Sequence, residues 1–221
     1  MSSISTLHQA WQERDSFARP VEVAERVLSA ILLVTLSPAL MIVALITLVL
    51  SGRSPLIAHR RVGRYGSELW VLKFRTMWRA RAAWAPPSSF FAVERITDER
   101  GPELKCSHDV RVHSRFARFC RRHSLDEFPQ LVHVLLGQMS LVGPRPVTRG
   151  ELQRIYGPRQ SEILRVKPGL AGLWQVSGRN RLTLEERCAR DLECVRRRSL
   201  GFYLWVLART IPEVLDGRDT C

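Results

Sequence analysis

Hydrophobic and polar positions fall into distinct regimes along the chain. Residues 1–19 are polar and mixed in charge, without the ordered basic, apolar and cleavage regions of a signal peptide, and are expected to form a loosely held tail. From Val27 to Leu50 there are 24 residues without a charge, about 36 Å of helix against a hydrocarbon core of about 30 Å. Ser37-Pro38 falls in the middle, where a proline removes a helical hydrogen bond and crowds the preceding turn. One reading is a proline-kinked spanning helix. The other is a re-entrant helix-break-helix whose ends lie on one side, since Arg14, Arg19 and Arg26 precede the segment and Arg53, Arg60, Arg61 and Arg64 follow it.

Beyond the apolar segment the periodicity changes. Residues 56–62 and the run ELWVLKFRT (68–76) flank a Gly63-Arg64-Tyr65-Gly66 turn and predict a β-hairpin, with Lys73 and Arg75 on one strand face. Residues 78–110 show no clear period and read as an irregular excursion. Residues 112–122 predict a helix with Val112, Phe116 and Phe119 inward. In the next segment, Phe128, Leu131, Val132, Leu135 and Leu136 follow helical spacing and predict a buried stripe ended by Gly137. A short helix is expected over 150–156, limited by Pro158, and a charged one from Thr183-x-x-Glu186 to about Arg198. The apolar run 200–211, with Phe202, Tyr203 and Trp205 behind Arg196, Arg197 and Arg198, suits a helix in a membrane interface or a core helix equally. The expected fold is therefore α+β and mainly helical, with a membrane-embedded segment over 20–52 and one cytoplasmic domain over 53–221.

The chemistry concentrates between Arg121 and Pro146. Asp126 and Glu127 are adjacent carboxylates, and Pro129 belongs in the first turn of the helix that follows them. Asp126 thus sits where unpaired amides and the positive helix end gather, a place that keeps a carboxylate ionised and favours phosphate. Ser124-x-x-Glu127 also fits a capping box, so the pair has a purely structural alternative. After the segment comes a rigid Gly143-Pro144-Arg145-Pro146 turn, and further on a stretch with three glycines, Trp174, Arg179 and Asn180, where backbone approaches closely and Arg179 offers a guanidinium fork.

Charge widens the field of partners. A net charge of +13 and a pI near 10.8 call for anions, whether nucleic acid, anionic lipid or phosphorylated substrates. Only Lys73, Lys105 and Lys167 among the 34 basic residues are lysine. The odd number of cysteines and the lack of a CxxC pair argue against a disulfide framework. Cys106, His108, His113, Cys120 and His123 cluster, but not at a usual zinc spacing.

Four stretches, KFRTM (73–77), SLDEFPQL (124–131), GQMSLVGPRP (137–146) and VKPGLAGLWQVSGRN (166–180), resemble in sequence and in order the bacterial sugar transferases that act on polyprenyl phosphates, the monotopic phosphoglycosyl transferases. The resemblance runs from about residue 20 to 216. It implies that Asp126 is the nucleophile of a phosphosugar-enzyme intermediate, with Glu127 as its catalytic partner, and that Mg²⁺ acts near both carboxylates. It further implies a UDP-sugar donor, an undecaprenyl phosphate acceptor and UMP as leaving group, with Lys73, Arg75, Arg121, Arg145 and Arg179 as phosphate or substrate contacts. It favours the membrane break at Ser37 and Pro38, contact with membrane lipid, and a cytoplasmic-membrane location with the catalytic domain facing the cytoplasm. The pathway implied is exopolysaccharide, capsule or O-antigen synthesis, and self-association into a homo-oligomer is left open.

Two positions depart from the family pattern: Gln138 stands where relatives commonly have Asp or Glu, and His133 where Asn is usual. The first puts any metal role of that position in doubt. The competing class is a membrane-tethered basic scaffold that binds nucleic acid or lipid without catalysis. Its basic residues would be collected in one groove with aromatics, whereas here they are spread through the chain, so no nucleic-acid partner is expected.

Overall fold

A computed structural model describes residues 2–78, 92–97, 112, 114–178, 181–197 and 199–216, with side chains from Arg19 onward. Helix α1 (Ser2–Ser51) takes in the expected N-terminal tail and continues through Ser37 and Pro38 without interruption, so the break expected there is not a break in the helix. The reason lies in the hydroxyls. Pro38 leaves the Val34 carbonyl without its usual amide donor, and Ser37 Oγ donates to that carbonyl at 2.8 Å. Thr35 Oγ1 donates likewise to Ile31 O at 2.8 Å. Within Arg19–Ser51 an 18-residue window reaches a mean hydropathy of 2.6, enough by length and composition to cross a membrane.

The first half of that helix also belongs to the folded domain. Leu32 and Leu33 pack on a core of Leu69, Val71, Leu131, Val134, Met139 and Leu141. Glu25 is buried and accepts from the Leu141 amide at 2.8 Å and from the Ser140 and Tyr203 hydroxyls. A buried carboxylate with three donors is a fixed anchor, and it locks α1 to the domain.

Strands β1 (Leu56–Val62) and β2 (Glu68–Phe74) form the expected antiparallel hairpin, with Leu56 opposite Phe74 and Val62 opposite Glu68. Part of the expected excursion is a strand: β3 (Glu94–Ile96) pairs in parallel with β1, giving the order β2-β1-β3. Helix α2 (Arg115–Arg122) is capped by Ser114, whose hydroxyl accepts from the Ala117 amide. It buries Ala117 and Cys120, whereas Phe119, expected inward, is exposed.

The central segment differs from its expected helix in one informative way. Leu125–Gln130 is a 3-10 helix and α3 is only Leu131–Leu135. A 3-10 turn advances about 120° per residue and an α-turn about 100°, so six residues shift the downstream face by about a third of a revolution. Leu131, His133 and Val134 are buried as a result, and Leu135 and Leu136 are exposed. Gly137 ends the helix at φ +73° with the Arg26 guanidinium against it, so this position suits only glycine.

Strand β4 (Ser140–Val142) is followed by a capping box, Thr148 with Glu151, that opens α4 (Arg149–Glu151) and a wide turn through Tyr156. After α5 (Gln160–Ile163), β5 (Gly169–Ala171) pairs in parallel with β4. Helices α6 (Leu173–Val176), α7 (Leu184–Arg196) and α8 (Leu200–Asp216) complete the domain. A second core joins Val62, Val147, Leu152, Tyr156, Ile163, Val166, Cys188, Leu192 and Val195. Helix α8 settles on the domain through Tyr203, Val206 and Leu207 and leaves Leu200, Leu204, Trp205, Ile211 and Leu215 exposed.

Candidate active site

The carboxylate pair sits in the first turn of the 3-10 helix, where Ser124 and not Asp126 is the N-cap and Pro129 falls beyond the first turn expected for it, and no capping box forms there. Ser124 lies in the left-handed region at φ 54° and its side chain makes no cap bond; its carbonyl accepts from the Glu127 amide at 3.0 Å. Glu127 turns outward from its own backbone. Its Oε1 accepts from Lys73 Nζ at 2.6 Å and from Arg145 Nη2 at 3.1 Å.

Two pieces of backbone deliver those cations. Lys73 comes from β2, an edge strand whose Leu72 amide donates to His133 Nε2 at 3.1 Å, while His133 Nδ1 meets Gln138 Oε1 at 2.7 Å. A glutamine oxygen only accepts, so the proton is on Nδ1 and Nε2 accepts from Leu72. His133 and Gln138 therefore touch each other and jointly hold the strand that carries Lys73. Arg145 comes from the turn after β4, where Gly143 N donates to Ala171 O at 2.9 Å and Gly169 N to Pro144 O at 2.8 Å. A side chain on Gly169 would fall on the Gly143 backbone, which explains why both crossing points are glycine. The charge of Glu127, with smaller help from Glu151 and Asp126, raises the Arg145 pKa against the effect of burial.

Glu127, Lys73 and Arg145 open into a cavity of about 480 Å³ between the two cores, lined by Val71 from one and Val147 and Tyr156 from the other. Arg61, Arg154 and Arg187 add cations to its wall; Glu151 and Asp191 add acids. Asp126 is not among its lining residues. It lies beside it, close enough for its charge to act on Arg145 and on Cys120, whose thiol is pushed up to about 11 by burial first and Asp126 second.

Sequence reasoning missed the α7 side of the cavity. Asp191 is 1% exposed and accepts from the Tyr156 hydroxyl at 2.6 Å. Burial raises its pKa to about 7, opposed by the Tyr156 hydrogen bond and then by Arg145 and Arg187. The signal was in the sequence: Cys188, Asp191, Leu192 and Val195 share the buried face of α7, and an acid on an apolar stripe needs a reason. The ring of Trp174, from the glycine-rich stretch, is met by Arg187 at 4.8 Å and Arg145 at 6.0 Å.

Other expected contacts fall elsewhere. Arg75 was expected on the strand face of Lys73, but β2 ends at Phe74 and the alternation ends with it. Arg75 is buried, with Nε donating to Ser54 O at 2.9 Å and Nη2 paired with Glu94 at 2.6 Å, so it ties the sheet together away from the cavity. Arg121 lies in the last turn of α2, before the Ser124 turn, and is not among the described lining residues. Arg179 lies outside the described residues, as do Cys106, His108 and His113. No group of three or more His, Cys, Asp or Glu side chains suited to a metal occurs among the described residues. Asp126 and Glu127 alone fit Mg²⁺ only in the manner of a weakly held ion that keeps waters and takes phosphate oxygens as further ligands.

Comparison with known proteins identifies the family. The bacterial sugar transferase family matches residues 18–217. The chain is 39% identical to the exopolysaccharide production protein ExoY of Sinorhizobium fredii over 88% of its own length and 85% of that protein. It is 38% identical to the UDP-galactose-lipid carrier transferase of Erwinia amylovora over 85% of this chain and 39% of that one. It is 37% identical to the undecaprenyl-phosphate galactose phosphotransferase of Salmonella typhimurium over 86% and 40% respectively. The chain thus spans about two fifths of these longer relatives and most of ExoY. With a match across nearly its whole length, the chain belongs to the bacterial sugar transferase family.

Proposed function

We propose that the protein transfers a sugar 1-phosphate from a UDP-sugar to undecaprenyl phosphate through an aspartyl intermediate. The observation that carries the reading is the joint hold of Lys73 and Arg145 on one oxygen of Glu127, next to Asp126 and at the mouth of a cavity of about 480 Å³. A carboxylate attacks a phosphate slowly in water because both are anionic. Cations fixed beside the attacking group offset that repulsion and stabilise charge on the transferring phosphoryl group.

An Asp126 oxygen forms a bond to the sugar-bearing phosphorus, the bridging oxygen–phosphorus bond breaks, and its electron pair leaves with UMP. A phosphate oxygen of the lipid then attacks the same phosphorus and the carboxylate departs, leaving a diphosphate-linked sugar. Glu127 positions Lys73 and Arg145 for both steps, and Arg145, held between Glu127 and Trp174, presents its fork to the phosphates. Asp126 and Glu127 would hold Mg²⁺, which when bound supplies further charge neutralisation at phosphate oxygens.

The lipid acceptor explains the apolar surface. The exposed side of α1, Leu135 and Leu136 at the end of α3, and the apolar face of α8 suit a domain seated on a bilayer. The arginines on both sides of the apolar segment, Arg14, Arg19 and Arg26 before it and Arg53, Arg60, Arg61 and Arg64 after it, support a course with both ends at the cytoplasmic face, which the continuous helix would take by bending at Pro38. Single cysteines near positions 20 and 55 should both be labelled from the cytoplasm; opposite sides would replace the re-entrant course with a crossing. The activity itself is tested by UMP release from a panel of UDP-sugars with undecaprenyl phosphate present, and it fails if none is turned over.

A further inference from the structure

The α7 side of the cavity carries two buried polar atoms that have no partner among the described residues. Asp191 uses Oδ2 for the Tyr156 hydroxyl, and its Oδ1 has no hydrogen-bond partner among the described residues. The same holds for Nε of Arg187. The two residues are four apart on α7 and so share a helix face one turn from each other. Both line the cavity that holds Glu127, Lys73 and Arg145, and Arg187 is braced against the Trp174 ring. Proteins rarely leave a buried donor and a buried acceptor unpaired in a structural role, because each loses its water without replacement.

Charge selects what such a site accepts. Asp191 offers phosphate no cation and repels it when ionised, while Lys73 and Arg145 are paired with Glu127. We propose that Arg187 Nε and Asp191 Oδ1 form a subsite for an uncharged group carrying a hydrogen-bond donor beside an acceptor. The imide edge of uracil and neighbouring hydroxyls of a sugar share that chemistry, and both occur in the donor proposed above, on which this inference rests. The subsite binds one end of the donor while the diphosphate lies toward Lys73 and Arg145.

The test is a set of dissociation constants for the full chain in detergent, comparing wild type with Asp191→Asn and Arg187→Lys. Asp191→Asn alters the acceptor and Arg187→Lys removes Nε but keeps the charge. The ligands are UMP, a sugar 1-phosphate and inorganic pyrophosphate. The subsite requires that UMP or the sugar 1-phosphate lose about tenfold or more in both variants while pyrophosphate binds as to wild type. Loss confined to UMP identifies the base, and N3-methyl-UMP should then bind wild type as weakly as UMP binds Asp191→Asn. Loss confined to the sugar phosphate identifies the hydroxyls. If all three ligands weaken together, or none does, the subsite is wrong. Should Asp191→Asn not fold, Arg187→Lys alone decides between these outcomes. Failure to release UMP from any UDP-sugar would instead overturn the transferase reading, and it leaves this binding series to be judged separately.

Discussion

Two turns in this chain share one sequence pattern and do opposite things. At Thr183-x-x-Glu186 the threonine hydroxyl accepts from the Glu186 amide at 3.2 Å and Glu186 Oε2 accepts from the Thr183 amide at 2.7 Å, so the carboxylate closes on its own backbone. At Ser124-x-x-Glu127 the serine is left-handed, the reciprocal bonds do not form, and Glu127 gathers Lys73 and Arg145 from distant parts of the chain. Left-handed backbone at a serine costs on the order of 1 kcal/mol, and such strain survives where the surroundings fix it. The difference teaches that a glutamate withheld from its cap is available for chemistry, and that the backbone angle of the residue three positions earlier decides which use it has.

The largest test of this contrast is Asp126→Asn. Asparagine is nearly isosteric and would serve a structural turn well, but it is a far poorer nucleophile. Turnover should fall by ~1,000-fold or more, about 4 kcal/mol of barrier, with the melting temperature kept. Wild type given labelled UDP-sugar and Mg²⁺ without lipid should hold the label as an acyl phosphate that the variant cannot form. A variant with normal turnover would return the 124–127 turn to the structural role of its counterpart.

Glu127→Gln should have the next largest effect. It keeps the shape and one acceptor oxygen but removes the charge that holds two cations, so kcat/KM should fall on the order of 100-fold through misplacement of Lys73 and Arg145. Glu186→Gln, the matched change in the working cap, should leave kcat/KM within twofold of wild type. Equal effects at the two glutamates would erase the distinction between the turns.

Asp191 extends the comparison to a carboxylate whose environment is dominated by burial. Its folded pKa of about 7 exceeds its ordinary 3.8, so the native state holds a proton that the unfolded chain has already released between these values. Stability on its account is therefore full below pH ~4 and declines as pH rises toward ~7. Unfolding measured across this range should show that decline, and Asp191→Asn should flatten it. An unchanged slope in the variant would assign the decline to other groups.

How much of this was legible in the sequence follows from how local each feature is. The β1–β2 hairpin, the Gly137 stop and the Thr183 cap were readable because neighbouring residues determine them. The buried face of the central helix was misjudged because the 3-10 start is set by how the turn packs against β2, which periodicity cannot register. Lys73 and Arg145 were found through their motifs, yet their meeting on Glu127 depends on a strand held by His133 and a glycine crossing at 143 and 169. Arg75 was misplaced because strand alternation was carried one residue past the strand's end. Asp191 was missed although its place on an apolar stripe was visible, because charge in a charged helix draws no attention until the helix is packed.

The smallest effect sharpens the comparison most directly, because it asks the two first residues of the pattern to behave differently. Thr183→Ala removes a hydroxyl that satisfies the Glu186 amide and should destabilise the domain by about 1 kcal/mol. For a domain of this size that is roughly a 2–4 °C fall in melting temperature, with kcat/KM unaffected. Ser124 has no cap bond to lose, so Ser124→Ala should cost nothing on that count. Ser124→Gly, which accepts positive φ without steric penalty, should hold the melting temperature or raise it by a degree or two. The paired melts are measured on detergent-solubilised protein at one pH. If Ser124→Gly lowers the melting temperature as far as Thr183→Ala does, then the Ser124 side chain supports its turn after all, and the left-handed serine is no longer the reason that Glu127 faces the cavity.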